Sequence, residues 1–205
     1  MKRSFRVPPP LAALLLLVSL PARAQLINAG FEQGPAPQSP QGSVTLYNAS
    51  TAVPGWVVTG DLVLYGRTDW AAQEGASSIG LYDASFPFVH PAIAQTFASV
   101  PGTSYTVTFW YAPAPLSGPM FGRNLAVRAA GQEFPFSTSD QGAPASAPTW
   151  RMGTVSFTAT STSTMLEFAN VGDGQKGGLV LDNVQMSGVV ATRPTSWGRV
   201  KALFR

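Results

Sequence analysis

Along the middle of the chain, apolar and polar residues alternate with a period of two. The clearest run is Thr103–Ala112, TSYTVTFWYA. It puts Tyr105, Val107, Phe109 and Tyr111 on one face and Thr106, Thr108 and Trp110 on the other. Such alternation marks a strand with one buried face. Further strands are expected at Ser43–Tyr47, Ser77–Tyr82, Ala92–Phe97, Asn124–Ala130, Arg151–Ala159, Thr164–Asn170 and Gly178–Met186. Two short ones are expected within Trp56–Tyr65, parted at Gly60 and Asp61. Threonine, serine and valine dominate these runs, as a pleated, half-buried surface prefers. No helix-length window carries a 3.6-residue apolar period. Proline and glycine fall mostly between the runs, as in Pro54-Gly55, Pro101-Gly102 and Pro113-Ala114-Pro115. Many short strands separated by turn signals predict an all-β fold, a jelly-roll β-sandwich.

The two ends break the pattern. Residues 1–6, MKRSFR, are basic, and Leu11–Leu20 is an apolar run. Ala22-Arg23-Ala24 then gives a small-x-small cleavage site. Residues 1–24 therefore read as a secretory signal peptide, with the mature chain starting at Gln25. No later stretch is apolar for the 18 or so residues a membrane helix needs, so no membrane span is expected. The signal has a bacterial look, and the expected location is secreted, periplasmic or extracellular. The domain is expected over residues 25–188, and residues 189–205 read as a basic C-terminal tail.

Composition narrows the chemistry. The chain has no cysteine and one histidine, His90. That excludes a disulfide framework, a thiolate zinc site, a cysteine nucleophile and a histidine-rich metal centre. The net charge of +3 belongs to the ends. Residues 25–188 hold five bases against ten acids, a net of −5. A nucleic-acid-binding surface is not what this middle offers.

Short motifs recur in a fixed order. Asn28-Ala29-Gly30-Phe31-Glu32 stands near the mature start and Leu181-Asp182-Asn183-Val184 near the domain end. Between them lie Pro54-Gly55-Trp56, the small-residue stretch Glu74–Leu81, Ile93-Ala94-Gln95-Thr96-Phe97, and Trp150 followed by Val155–Ala159. In order and spacing the chain resembles the galactose-binding-like jelly rolls, a fold that many carbohydrate-binding modules share. The narrower resemblance is to domain-of-unknown-function family 642, found in plant cell walls and in exported bacterial proteins. It covers residues 25–188. The chain lacks the cysteines of the plant members, and no plant-specific partner is carried over.

Glu32 and Asp182 form the first candidate site. In a jelly roll the first and last strands can lie side by side, which brings these carboxylates together. Two buried like charges repel unless something compensates. A structural calcium would do so, and the resemblance implies one at this place. Backbone N–H groups and hydroxyls at the strand ends are the other means of compensation.

The aromatic residues form the second. Sugar rings present apolar C–H faces, and aromatic side chains offer a flat partner. Trp70 sits in a polar stretch, Gly66-Arg67-Thr68-Asp69-Trp70, and Tyr82, Phe86, Phe88 and His90 fall in a loop between strands. These rings either present a sugar-binding surface, with Arg67, Asp69, Asp83 or Asn124 bonding hydroxyls, or fold back as a plug. Trp56 and Trp150 are expected in the core. Trp110 belongs either to a binding face or to the core between sheets.

No G-x-S-x-G motif is present, and no spacing singles out a carboxylate pair for glycoside hydrolysis. The expected function is non-catalytic binding of an extracellular or cell-wall polysaccharide, with calcium as a structural cofactor. The alternative is a structural or adhesive envelope or matrix protein whose partner is another protein.

Overall fold

A computed structural model of the chain describes residues 25–36, 42–60, 62–66, 70–82, 90–114, 123–138, 144–172 and 178–189. The expected signal peptide and most of the basic tail lie outside the described residues. Among those described there are eleven strands and no helix, so no helix is long and apolar enough to cross a membrane.

The strands are β1 (Ser43–Tyr47), β2 (Val57–Val58), β3 (Leu62–Gly66), β4 (Ser78–Tyr82), β5 (Ala92–Ala98), β6 (Ser104–Pro113), β7 (Arg123–Ala129), β8 (Gln132–Thr138), β9 (Arg151–Thr158), β10 (Ser163–Asn170) and β11 (Gly178–Val189). They pair antiparallel in two sheets. The six-stranded sheet runs β1-β3-β4-β11-β6-β9 and the five-stranded sheet β2-β5-β10-β7-β8. The all-β sandwich expected from the alternation is present.

The core lies between the sheets. On β6, Tyr105, Val107, Phe109 and Tyr111 are buried, as their shared parity requires. Phe109 meets Phe136 and Phe168 edge-on, each with centroids 5.1 Å apart. Trp56, 1% exposed, stacks at a tilt on Phe31 and lies near Phe168. A second aromatic group, Phe97, Tyr105 and Phe157, fills the other end.

Two strand ends define the sandwich's poles. Tyr82 pairs with Gly178, Leu179 with Pro113, and Arg123 with Thr138. Asn170 on the other sheet donates across to the Leu81 carbonyl at 3.1 Å, so both sheets share this upper end. The lower end carries Ala98, the Ala130-Gly131 turn, Thr158 and Ser163.

Candidate functional site

The Asn28–Glu32 motif folds as a loop closed by its own side chain. Asn28 accepts from the Gln33 N–H at 3.0 Å and donates to the Gln33 carbonyl at 2.7 Å. Its positive φ of 49° suits asparagine better than most residues. The closed loop drives Phe31 into the core with no exposed surface, and Tyr65 Oη donates to the Phe31 carbonyl at 2.9 Å. Gln95, buried at the centre of the Ile93–Phe97 motif, clamps the same segment. It accepts from the Ile27 N–H at 2.6 Å and donates to the Ile27 carbonyl at 2.9 Å.

With Phe31 inside, Glu32 points to the loop before β4. Its Oε1 accepts from the Ala76 and Ser77 N–H groups at 3.0 and 3.1 Å, and its Oε2 from Ala76 at 3.1 Å. The carboxylate lies against Gly75, where a Cβ would come within 2.3 Å of Oε1. Asp182 reaches the same loop from β11. A bulge between Asp182 and Gln185 breaks the pairing with β6 there, and Asn183 has φ 46°. Asp182 Oδ2 accepts from Gln73 and Glu74 N–H at 2.7 and 3.1 Å, and Oδ1 from Asn183 N–H at 2.6 Å. Burial, and to a lesser degree the Glu32 charge, push the Asp182 carboxyl up to about 6 against the pull of these three amides.

Both carboxylates singled out in the sequence thus accept from one loop, Glu32 from residues 76 and 77 and Asp182 from residues 73 and 74. The loop amides of residues 73–77 that hold them carry no side-chain signature. For a calcium ion the fit is mixed. Two carboxylates on one loop have the charge and the hard oxygens it needs. Ser77 Oγ, in the same loop, is buried with no hydrogen-bond partner. Yet every carboxylate oxygen already accepts an N–H, and no group of three or more acidic, histidine or cysteine side chains converges among the described residues.

The aromatic candidates divide. Trp70 is 3% exposed and lies on the outer face of the six-stranded sheet, packed with Ala112, Ala114 and Val180. Gly66 and Gly80 make room for it, since a Cβ at either would stand 2.7 or 2.9 Å from the indole. Its N–H donates to Ser78 Oγ. So placed, the indole offers no open face to a sugar. Tyr82 and Trp150, both half-buried, pack against the same group, and the Trp150 indole N–H is buried without a partner. Trp150 thus belongs to this outer cluster and not to the core between the sheets. Trp110 is half-buried on the face away from the core, opposite Asp182. His90 is exposed just before β5, at the upper end where β4 finishes with Tyr82. Arg67, Asp69, Asp83, Phe86 and Phe88 lie outside the described residues.

The sequence reading missed a second polar constellation, on the outer face of the five-stranded sheet. Glu167, Arg128 and Glu133 stand directly opposite one another on β10, β7 and β8. Arg128 donates to Glu133 at 2.8 Å and to Glu167 at 2.9 Å, and Thr59 Oγ1 donates to Glu167 at 2.7 Å. Both partners raise the Arg128 pKa, the Glu133 hydrogen bond most. Beside this ladder opens a groove of about 450 Å³. Only the register of β8 reveals it, and β8 was not foreseen.

Two solved structures share the fold, and a third shows a weaker likeness. TmCBM61 in complex with β-1,4-galactotriose is 18% identical with a TM-score of 0.52, the match covering 80% of this chain and 97% of that one. An arabinose-bound MgGH51 α-L-arabinofuranosidase gives the same TM-score at 12% identity, over 81% of this chain and 26% of that one. The CBM22-1 xylan-binding domain from Paenibacillus barcinonensis Xyn10C is 15% identical with a TM-score of 0.45, over 74% of this chain and 95% of that one. No curated protein matches the chain in sequence. A family model described as a protein of unknown function spans residues 24–187, from before the Asn28–Glu32 loop through the Asp182 bulge, and the chain belongs to that family, DUF642.

Proposed function

We propose that this protein is an exported, non-catalytic carbohydrate-binding module that recognises an extracellular or cell-wall polysaccharide. The observation that carries the reading is the correspondence of the sandwich with nearly the whole of a carbohydrate-binding module solved with a galactotriose. The side chains support it. Glycoside hydrolysis needs two carboxyl groups flanking one bond, one of them free to give a proton. Of the five acidic side chains among the described residues, four are engaged, Glu32 and Asp182 by loop amides and Glu133 and Glu167 by Arg128. The upper end, with Tyr82 and His90, is proposed as one contact region, while the other expected contacts, Arg67, Asp69, Phe86 and Phe88, lie outside the described residues. Trp70 would brace it from beneath.

Calcium between Glu32 and Asp182 is part of the proposal, as a brace for the scaffold and with no role in binding chemistry. Its charge would favour the ionised Asp182 against the burial, and the lesser Glu32 repulsion, that raise this carboxyl. The expected outcome is a lower melting temperature in chelator, restored by calcium. An unchanged melting temperature in both would mean that the amides of residues 73–77 suffice.

Affinity electrophoresis of the mature chain in gels containing galactan, xylan, mixed-linkage glucan or polygalacturonate tests the function. Retardation without release of reducing sugar is expected in a neutral polysaccharide. Passage through every gel unretarded would favour the structural or adhesive alternative. Released reducing sugar would make the protein a hydrolase.

A further inference from the structure

The groove on the five-stranded sheet has walls of two kinds. One is the β7–β8 hairpin, whose two-residue turn, Ala130-Gly131, has φ of 51° and 75°. Two consecutive positive φ values between paired strands are those of the tight turn that matches strand twist, so this wall is rigid. The other is the start of β10 with the preceding turn, bringing Ser161, Ser163 and Met165 to the rim. Met165 is 51% exposed on the outer face of the sheet.

Arg128 sits at the head of this groove between two carboxylates. Glu133 takes its Nε–H and Glu167 takes one Nη1–H. Of the five N–H groups a guanidinium carries, three remain without a partner among the described residues. Glu133 binds Arg128 through Oε2, leaving Oε1 with no hydrogen bond among the described residues. Ion pairs this exposed contribute little to stability. What the ladder does achieve is a donor beside an acceptor, next to an apolar side chain.

That combination matches a particular ligand chemistry. Two adjacent hydroxyls on a sugar ring each donate and accept, so a guanidinium edge beside a carboxylate oxygen engages both at once. The C–H face of the ring needs an apolar partner, and an exposed thioether is a polarizable one. Glu133 lines the groove with Arg128, and Glu167 pairs with the same guanidinium just outside the lining, so the ladder at its head sets two carboxylates against one guanidinium. An anionic sugar would meet net repulsion there, and a neutral one would not.

We infer that this groove is a subsite for a neutral sugar unit bearing two adjacent hydroxyls. Arg128 and Glu133 hold the hydroxyls and Met165 lies against the ring. The inference rests on the polysaccharide-binding reading and adds to it a place and a ligand class. It puts a contact at the lower end, away from Tyr82 and His90.

The test uses the mature chain with 13C-labelled methionine methyl groups, titrated with whichever neutral polysaccharide retards it in the gels, cut to soluble oligosaccharides. The Met165 methyl resonance is expected to shift on titration, while that of Met152, exposed on the other sheet, stays in place. Arg128→Ala and Glu133→Gln are expected to weaken binding at least tenfold with the melting temperature nearly unchanged. Polygalacturonate fragments are expected to leave the Met165 resonance where it is. Binding that persists in both variants with Met165 unmoved would overturn the subsite and leave the polysaccharide reading standing. Failure of every neutral polysaccharide to bind would overturn both.

Discussion

At the scale of single residues, the Asn28–Glu32 motif acts as a hinge between packing and charge. Asn28 closes the loop, Phe31 enters the core, and Glu32 is thereby delivered to the amides of residues 76 and 77. Asp182 arrives at residues 73 and 74 by way of the β11 bulge. Its carboxyl titrates near 6 in the folded chain instead of 3.8. A carboxyl raised on folding adds stability that is complete below about pH 4 and is lost as the pH rises through about 6. At roughly 1.4 kcal/mol per unit, the term is about 3 kcal/mol. In calcium-free buffer, the unfolding free energy of the wild type should therefore fall more steeply from pH 4 to pH 7 than that of Asp182→Asn. Parallel profiles from urea titrations of the two proteins would contradict this assignment. Calcium bound at the pair would favour the ionised form and flatten the wild-type profile.

At the scale of elements, one strand escaped the sequence. Residues 132–138, QEFPFST, carry Pro135 at their centre, which argues against a strand in a sheet interior. β8 is the edge of its sheet, where a missing N–H is tolerated, and Phe134 and Phe136 still pack toward the core. The long last strand was legible except for its bulge. Leu179 and Leu181 face inward, and so does Val184, a change of parity that a two-residue period cannot anticipate. Trp70 was misleading for a related reason. Its neighbours in sequence are polar, but its seat is made by Gly66 and Gly80 on two other strands. Gly80→Val should push the indole off that seat and destabilise the fold by about 1–3 kcal/mol. The urea midpoint followed by tryptophan fluorescence checks this. An unchanged midpoint would mean that Trp70 is free to move aside, and its exposure to a sugar would then be open again.

At the scale of the whole molecule, the alternation along the chain determined the sandwich, and the order of motifs determined the family. The distribution of charge had a different use. The basic residues lie mostly at the two ends, and the sandwich itself is acidic, with the Glu133–Arg128–Glu167 ladder carrying part of that charge. This balance favours neutral polymers over anionic ones as partners. The ladder could not be read from the sequence because its three members come from three strands and meet only through their register. The most direct measurement of the central claim is a glycan array probed with the mature chain. The account predicts signal on neutral cell-wall or extracellular oligosaccharides and none on polyuronates. A blank array, or signal confined to polyuronates, would contradict it.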